Sequence, residues 1–372
     1  MKNKFQQNNA NEGSSHSSVA RKIKRTSAFL PVLFISSLLF ICFISPKINA
    51  GSLFENQNVN NKNDSLKHYR SFKPGEEWYD TDGEIINAHG GGMLYYNKTY
   101  YWFGETRGRS ASQGVSVYSS KDLYNWKNEG LALAHDADSS SDITTGSIIE
   151  RPKVIYNKNT NQFVMWFHLE LKGKGYSAAR AGVAVSNTPT GPYKFLKSFR
   201  PNGNMSRDMT VYVDDKGKAY QIYSSRENYD MRIVELTPDY LSPTTKDSLI
   251  SSDHREAPAI FQHDKKYFLV TSACTGWAPN AANLYVSKSL FGNWQDTGNP
   301  MLGKDANMTF YAQSAYIFPV AGKKDAFIFM ADKWNPKNLT DSRYIWLPVE
   351  FKNGEPNIEW KDEWDLNYFG KQ

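Results

Sequence analysis

The stretch EAPAIFQHDKKYFLVTSA, residues 256–273, decides how this chain is read. A polar residue, Glu256, opens a short apolar run that ends at Phe261. A polar turn follows, and then a second run, KKYFLVTSA from Lys265, rich in aromatic and β-branched residues. Runs of this kind, punctuated by polar turn residues, read as paired antiparallel strands. The same order occurs four more times. The other starts are His89-Gly90-Gly91-Gly92-Met93-Leu94-Tyr95, Glu150-Arg151-Pro152-Lys153-Val154-Ile155-Tyr156, Asp208-Met209-Thr210-Val211-Tyr212 and Gln313-Ser314-Ala315-Tyr316-Ile317-Phe318. Their second runs are KTYYWFGE from Lys98, NQFVMWFH from Asn161, GKAYQIYSS from Gly217 and KDAFIFMAD from Lys324. A third run follows in every unit, such as GVAVSNT from Gly182 and NLYVSKS from Asn283.

The starts are separated by 61, 58, 48 and 57 residues. A repeat of this length, three or four strands per unit and with no long helical periodicity, predicts an all-β chain folded as a five-bladed β-propeller. The competing architecture is a two-sheet sandwich followed by a second β domain.

Composition narrows the function classes. The chain has 372 residues, 44 Lys+Arg and 38 Asp+Glu, with 14% aromatic residues. Seven of the basic residues and one acid fall within residues 1–50, which leaves 37 of each sign in the body. A neutral body excludes nucleic acid as the expected partner, because neutralising phosphates takes a basic excess. Two cysteines, Cys42 and Cys274, exclude a disulfide framework and a cysteine-based zinc module. No Gly-x-Ser-x-Gly elbow, His-Glu-x-x-His or phosphate loop is present. Asp80-Thr81-Asp82-Gly83 resembles part of a calcium loop but lacks the later acidic ligand.

Residues 28–44, AFLPVLFISSLLFICFI, form an apolar run behind the basic cluster Arg21–Arg25. Residues 1–50 therefore read as a secretory signal cleaved after Ala50, with an uncleaved N-terminal membrane anchor as the alternative. Either way the rest of the chain is expected outside the cytoplasm, secreted or periplasmic. Residues 51–74 read as a polar tether and residues 75–372 as the propeller.

In a propeller the innermost strand of each blade lines the central channel, and the starts of those strands gather at one mouth. His89, Glu150, Asp208, Glu256 and Gln313 are thus expected to converge. Crowded carboxylates push one another's pKa apart, so that one keeps its proton near neutrality while another stays ionised. Cleavage of a glycosidic bond needs that pair. His89, in Asn87-Ala88-His89-Gly90, is either a core histidine in a bulged strand or a sugar contact. Glu105, alone, reads as a rim charge. Thr275-Gly276-Trp277-Ala278-Pro279-Asn280 sets an indole beside an amide, which suits a pyranose ring. Trp334, in Asp332-Lys333-Trp334-Asn335-Pro336, has the same character.

These motifs, with Ser206-Arg207-Asp208-Met209 and Tyr100-Tyr101-Trp102-Phe103-Gly104-Glu105, resemble glycoside hydrolase family 43 over about residues 75–362. The likeness is strongest to its exo-β-1,3-galactanase branch and the neighbouring β-galactosidase or α-L-arabinofuranosidase branch. The resemblance implies inversion at the anomeric carbon, with Glu256 as general acid and Asp208 as the residue that tunes and orients it. It implies that Glu150 is a carboxylate that holds the sugar and is needed for activity. Gln313 matches a residue proposed to position or activate the water, with Glu150 as the alternative base. The family's usual first-blade Asp is replaced here by His89. Asn87, His89, Glu105, Thr275, Gly276, Trp277, Asn280 and Trp334 are the expected substrate contacts. The substrate is expected to be β-1,3-galactan of arabinogalactan, cut from its end by a monomer without a cofactor; a structural calcium ion in the channel stays open. A sugar-binding propeller without catalysis is the reading from another class.

Overall fold

The computed structural model describes residues 68–108 and 112–370. The leader, the cleavage point at Ala50 and most of the expected tether lie outside the described residues. Among the described residues five sheets follow one another, antiparallel but for one parallel pair at the edge of the fifth. The first is β1 (His89–Tyr96), β2 (Thr99–Arg107), β3 (Ser112–Ser120) and β4 (Lys127–Leu133). The second is β5 (Ile148–Asn157), β6 (Gln162–Glu170), β7 (Arg180–Ser186) and β8 (Lys194–Phe199). The third is β9 (Met209–Val213), β10 (Ala219–Ser225), β11 (Asp230–Leu236) and β12 (Pro243–Ser251), and the fourth β13 (Arg255–His263), β14 (Lys266–Ala273), β15 (Asn283–Ser287) and β16 (Gln295–Gly298). In the fifth, β17 (Met301–Leu302) pairs parallel to the outer edge of β18 (Gln313–Pro319), β19 (Phe327–Lys333), β20 (Arg343–Lys352) and β21 (Glu355–Glu359). The expected five-bladed propeller is the fold: β1, β5, β9, β13 and β18 are the innermost strands, each against its neighbours around the ring.

Five hydrophobic clusters fill the five gaps between blades. This explains the long apolar runs of the middle strands. Side chains of a strand alternate between faces, and here both faces are buried. In β6, Phe163, Met165 and Phe167 pack toward the first blade, whereas Val164 and Trp166 pack toward the third. In β14, Phe268 and Val270 face the fifth blade and Leu269 the third.

The ring closes between the fifth and first blades through the most aromatic of these clusters, with Trp102, Trp126, Trp346 and Trp364. Phe72 belongs to it. Its N–H donates to the Trp364 carbonyl at 2.7 Å, and its ring lies 4.5 Å from the Trp364 ring. This corrects the expected boundary of the tether at residue 74. The segment around Phe72 is pinned into the ring because its buried side chain spans the closure. Among the described residues no helix is long and apolar enough to cross a membrane.

Candidate active site

Four of the five innermost strands carry a β-bulge beside their starting residue. Register shifts fall between His89 and Gly92, Glu150 and Lys153, Glu256 and Ala259, and Ser314 and Tyr316. A bulge adds an unpaired residue, bends the strand and re-aims the side chain before it. In three of them the residue after the start is left-handed: Gly90 at φ 55°, Arg151 at 53° and Ala257 at 55°. For Arg151 and Ala257 this costs on the order of 1–3 kcal/mol each, a strain typical of functional sites. In the first blade glycine avoids it, and a Cβ at Gly92 would stand 2.5 Å from the Lys153 Cδ. The glycine run admits neighbouring side chains to the axis.

The bulges turn Glu150, Glu256 and Gln313 into one cavity of about 410 Å³, shared with Asp208, Glu105, Gly276, Trp277 and Trp334. Glu256 is the half-buried acid of the group. Its Oε1 accepts from Gln313 Nε2 at 2.8 Å and its Oε2 from Asn228 Nδ2 at 3.1 Å. Burial, and then the Asp208 carboxylate, push its pKa up to about 7 against the opposing pull of Arg151. Asp208 is pinned beside it: Oδ2 accepts from the Ala257 N–H at 3.1 Å and pairs with Arg151 Nη2 at 3.0 Å.

Glu150 is the opposite case. Burial opposes its charge, but Arg107 at 2.6 Å and His168 at 3.2 Å overcome it and hold the carboxyl far below its ordinary range. Tyr176 donates a further hydrogen bond at 2.8 Å. Arg107 also pairs with Glu105. One guanidinium cannot neutralise two buried carboxylates, so Glu105 takes up the proton: burial outweighs Arg107 and lifts it to about 8. Glu105 is therefore a buried floor residue, 1% exposed, and not the rim charge its isolated sequence suggested.

Gln313 uses all of its amide. Nε2 donates to Glu256 and, at 3.1 Å, to Ser272 Oγ; Oε1 accepts from Arg151 and, at 3.0 Å, from Trp334 Nε1. Trp334 packs edge-on against Trp277, 5.7 Å between centroids, and Trp277 is 48% exposed. A second cleft of about 450 Å³ continues from these two rings past Asn280, Tyr311 and Lys333.

Four expected contacts do not line the catalytic cavity. His89 is fully buried; its Nδ1 lies 3.2 Å from Asp332 Oδ1 and its ring stacks on Tyr344. It is the core histidine of a bulged strand. Asn87 clamps the backbone of Arg107, donating to its carbonyl at 2.8 Å and accepting from its N–H at 3.0 Å. Thr275 ties its own loop, donating to the Ala278 carbonyl at 2.5 Å and accepting from Asn280 at 2.7 Å. Asn280 also brackets Ala273, so it faces only the second cleft and shapes the loop that presents Trp277.

Sequence reasoning missed Arg107, Arg151, His168, Tyr176 and Asn228. A signal existed for three of them. Arg107 ends the second strand of its unit, His168 pairs with Glu150 across its sheet as Glu105 pairs with His89, and Arg151 directly follows Glu150. Tyr176 and Asn228 come from loops with no distinguishing pattern. Among the described residues, oxygens or nitrogens of Glu150, His168 and Asp208 lie within 4.8 Å of one another, a spacing that could hold a cation. The two carboxylates flanking it, Glu150 and Glu170, hold His168 protonated to about 9 despite its burial, which opposes metal ligation.

The family described as glycosyl hydrolases family 43 matches residues 88–355. A family 43 β-1,3-galactosidase solved with galactodeoxynojirimycin is 48% identical, with a TM-score of 0.78 over 79% of this chain and 100% of that one. An exo-β-1,3-galactanase from Phanerochaete chrysosporium, solved as a Glu-to-Ala variant with β-1,3-galactotriose, is 38% identical, with a TM-score of 0.75 over 80% of this chain and 68% of that one. The exo-β-1,3-galactanase of Clostridium thermocellum is also 38% identical, with a TM-score of 0.72 over 79% of this chain and 66% of that one. No curated protein matches the chain.

Proposed function

This chain belongs to glycosyl hydrolase family 43 and is a glycoside hydrolase, and from that premise we propose that it removes terminal galactose from β-1,3-galactan with inversion at the anomeric carbon. The carrying observation is the split between two carboxyls in one cavity: Glu256 raised to about 7, Glu150 held ionised by Arg107 and His168. Near neutral pH, Glu256 protonates the departing glycosidic oxygen while water attacks the anomeric carbon from the opposite face and gives its proton to a base. Asp208 keeps Glu256 protonated until that step.

Glu150 is that base in this reading. An inverting pair leaves about 6.5–9.5 Å between acid and base for the water. Gln313 stands within hydrogen-bond reach of Glu256, at 2.8 Å, and both amide ends are occupied. Its role is to orient the acid. End-first attack agrees with the filled axis below the cavity, where Arg151 donates to the Ser314 carbonyl and Lys153 to the Gly90 carbonyl, both at 2.8 Å. The galactose assignment draws on the β-1,3-galactosidase and galactanases reported above. Export follows from the apolar run at residues 28–44, and the N-terminus and sedimentation of the protein recovered outside the cell test cleavage after Ala50 and the monomeric state.

The deciding test is NMR of the first product from β-1,3-galacto-oligosaccharides. The α-anomer of galactose must appear first, and Glu256→Gln must abolish its release. A β-anomer, or release of arabinofuranose in its place, refutes the assignment. Azide added to Glu150→Ala and Gln313→Ala separates the base: rescue of Gln313→Ala alone overturns Glu150 in that role.

A further inference from the structure

The innermost strands all run in the same direction, so their ends gather at the mouth opposite the catalytic cavity. There the last residues of β1, β5, β9, β13 and β18 enclose a second cavity of about 580 Å³, larger than the catalytic one. Its size is within the roughly 300–1,000 Å³ of small-ligand sites. Four of the five strands supply tyrosines: Tyr95 and Tyr96, Tyr156, Tyr212 and Tyr316. The fifth, β13, supplies the amide of Gln262.

These side chains are braced and not collapsed. Tyr212 donates to Gln262 Oε1 at 3.2 Å and Tyr156 to Asn161 at 2.8 Å. Tyr95 leans on Tyr100 with centroids 4.6 Å apart and remains 47% exposed. Tyr316 has the Lys153 ammonium 5.9 Å from its ring on the axis side. The lining carries one basic and one acidic side chain, Lys158 and Asp215. Such a wall offers flat apolar faces, hydroxyls and an amide, with no net charge. The lining has no charge excess to hold an anionic polymer, whereas a neutral pyranose chain matches both the faces and the donors. Arg151 and Lys153 fill the axis between the two mouths, so a ligand here is not threaded from the catalytic cavity.

We infer that the far mouth is a second carbohydrate site, which holds a neutral galactan segment away from the catalytic cavity and keeps the enzyme on its polymer. The identity of the sugar rests on the function proposed above; the site itself rests on its own lining. Titration calorimetry of the Glu256→Gln protein with β-1,3-galactotriose should give two molecules per chain. Adding Tyr95→Ala or, independently, Gln262→Ala should reduce this to one; both residues are at least partly exposed, and unchanged melting verifies the fold. In the active enzyme the same two substitutions should leave turnover of nitrophenyl β-galactoside within twofold and slow hydrolysis of polymeric β-1,3-galactan at least fivefold. One trisaccharide per chain, insensitive to both substitutions, overturns the second site and leaves the catalytic reading standing. One per chain that Tyr95→Ala abolishes supports the second site and sinks galactan as the catalytic substrate. No binding overturns both.

Discussion

Asp208→Asn tests the coupling at the centre of the site. Asp208 is fastened to the peptide N–H that follows Glu256, at 3.1 Å, and its negative charge is the second cause, after burial, that raises the Glu256 pKa to about 7. Two like charges within about 8 Å at an effective dielectric near 20 repel by about 2 kcal/mol, which corresponds to about one and a half pH units. Removing the charge also frees Arg151, 3.0 Å from Asp208, to act more strongly on Glu256 in the same downward direction. The protonated form of Glu256 is the active one, so the alkaline limb of kcat/KM should move from about pH 7 to about pH 5.5. At pH 7 the protonated fraction then drops from about one half to about 3%, roughly a fifteenfold loss, whereas near pH 5 the loss is under about 1.5-fold. Any uniform fall in kcat from poorer orientation lowers the whole curve without moving its midpoint. The measurement is a pH profile of kcat/KM on a soluble β-1,3-galacto-oligosaccharide for both proteins. A limb that stays in place or moves upward refutes the tuning role of Asp208, or shows that Glu256 is not the titrating acid.

Stability should fall as pH rises from about 5 to 7. Glu105, raised to about 8, and Glu256, raised to about 7, keep protons in the folded chain that an unfolded chain has released above the ordinary carboxylate range, so folding is favoured at the lower pH. A melting temperature that climbs over this interval contradicts the assignment, and Glu105→Gln should flatten the trend. Arg107→Met leaves the buried Glu150 without its main counter-charge and should cost about 3–5 kcal/mol in chemical denaturation, together with most of the activity. Trp277→Ala removes an exposed face from the rim and should raise KM for oligosaccharides about tenfold at nearly constant kcat, equivalent to about 1.4 kcal/mol; an unchanged KM excludes a sugar contact. Phe72→Ala should destabilise the ring closure by about 3–5 kcal/mol, and a smaller effect on thermal unfolding would show that the segment is not part of the fold.

The repeat carried most of the fold in plain view. Strands buried on both faces must be apolar throughout, so KKYFLVTSA and NQFVMWFH stand out against their polar turns, and five copies in order leave few architectures. The same repeat aligned Glu150, Asp208, Glu256 and Gln313, because equivalent strand starts meet at one mouth in any propeller. Residues 68–74 were harder to place: two aromatic residues, Tyr69 and Phe72, among polar ones make no strand pattern, and only its partner Trp364, far away in the chain, gives Phe72 a position.

Electrostatic roles belong to the tertiary structure. Glu105 and Glu150 are both glutamates near strand ends, yet they share one arginine, and the contacts of His168 and Tyr176 decide which keeps its charge. His89 and Asn87 sit within the most conspicuous motif of the sequence, but their side chains turn inward to Asp332 and to the Arg107 backbone. The amino-acid order determined the strands, their number and the residues brought to the axis, since those follow from local periodicity. Burial and the distances between groups from different blades decided which carboxyl holds a proton, because desolvation and Coulomb energies depend on neighbours that no local pattern specifies.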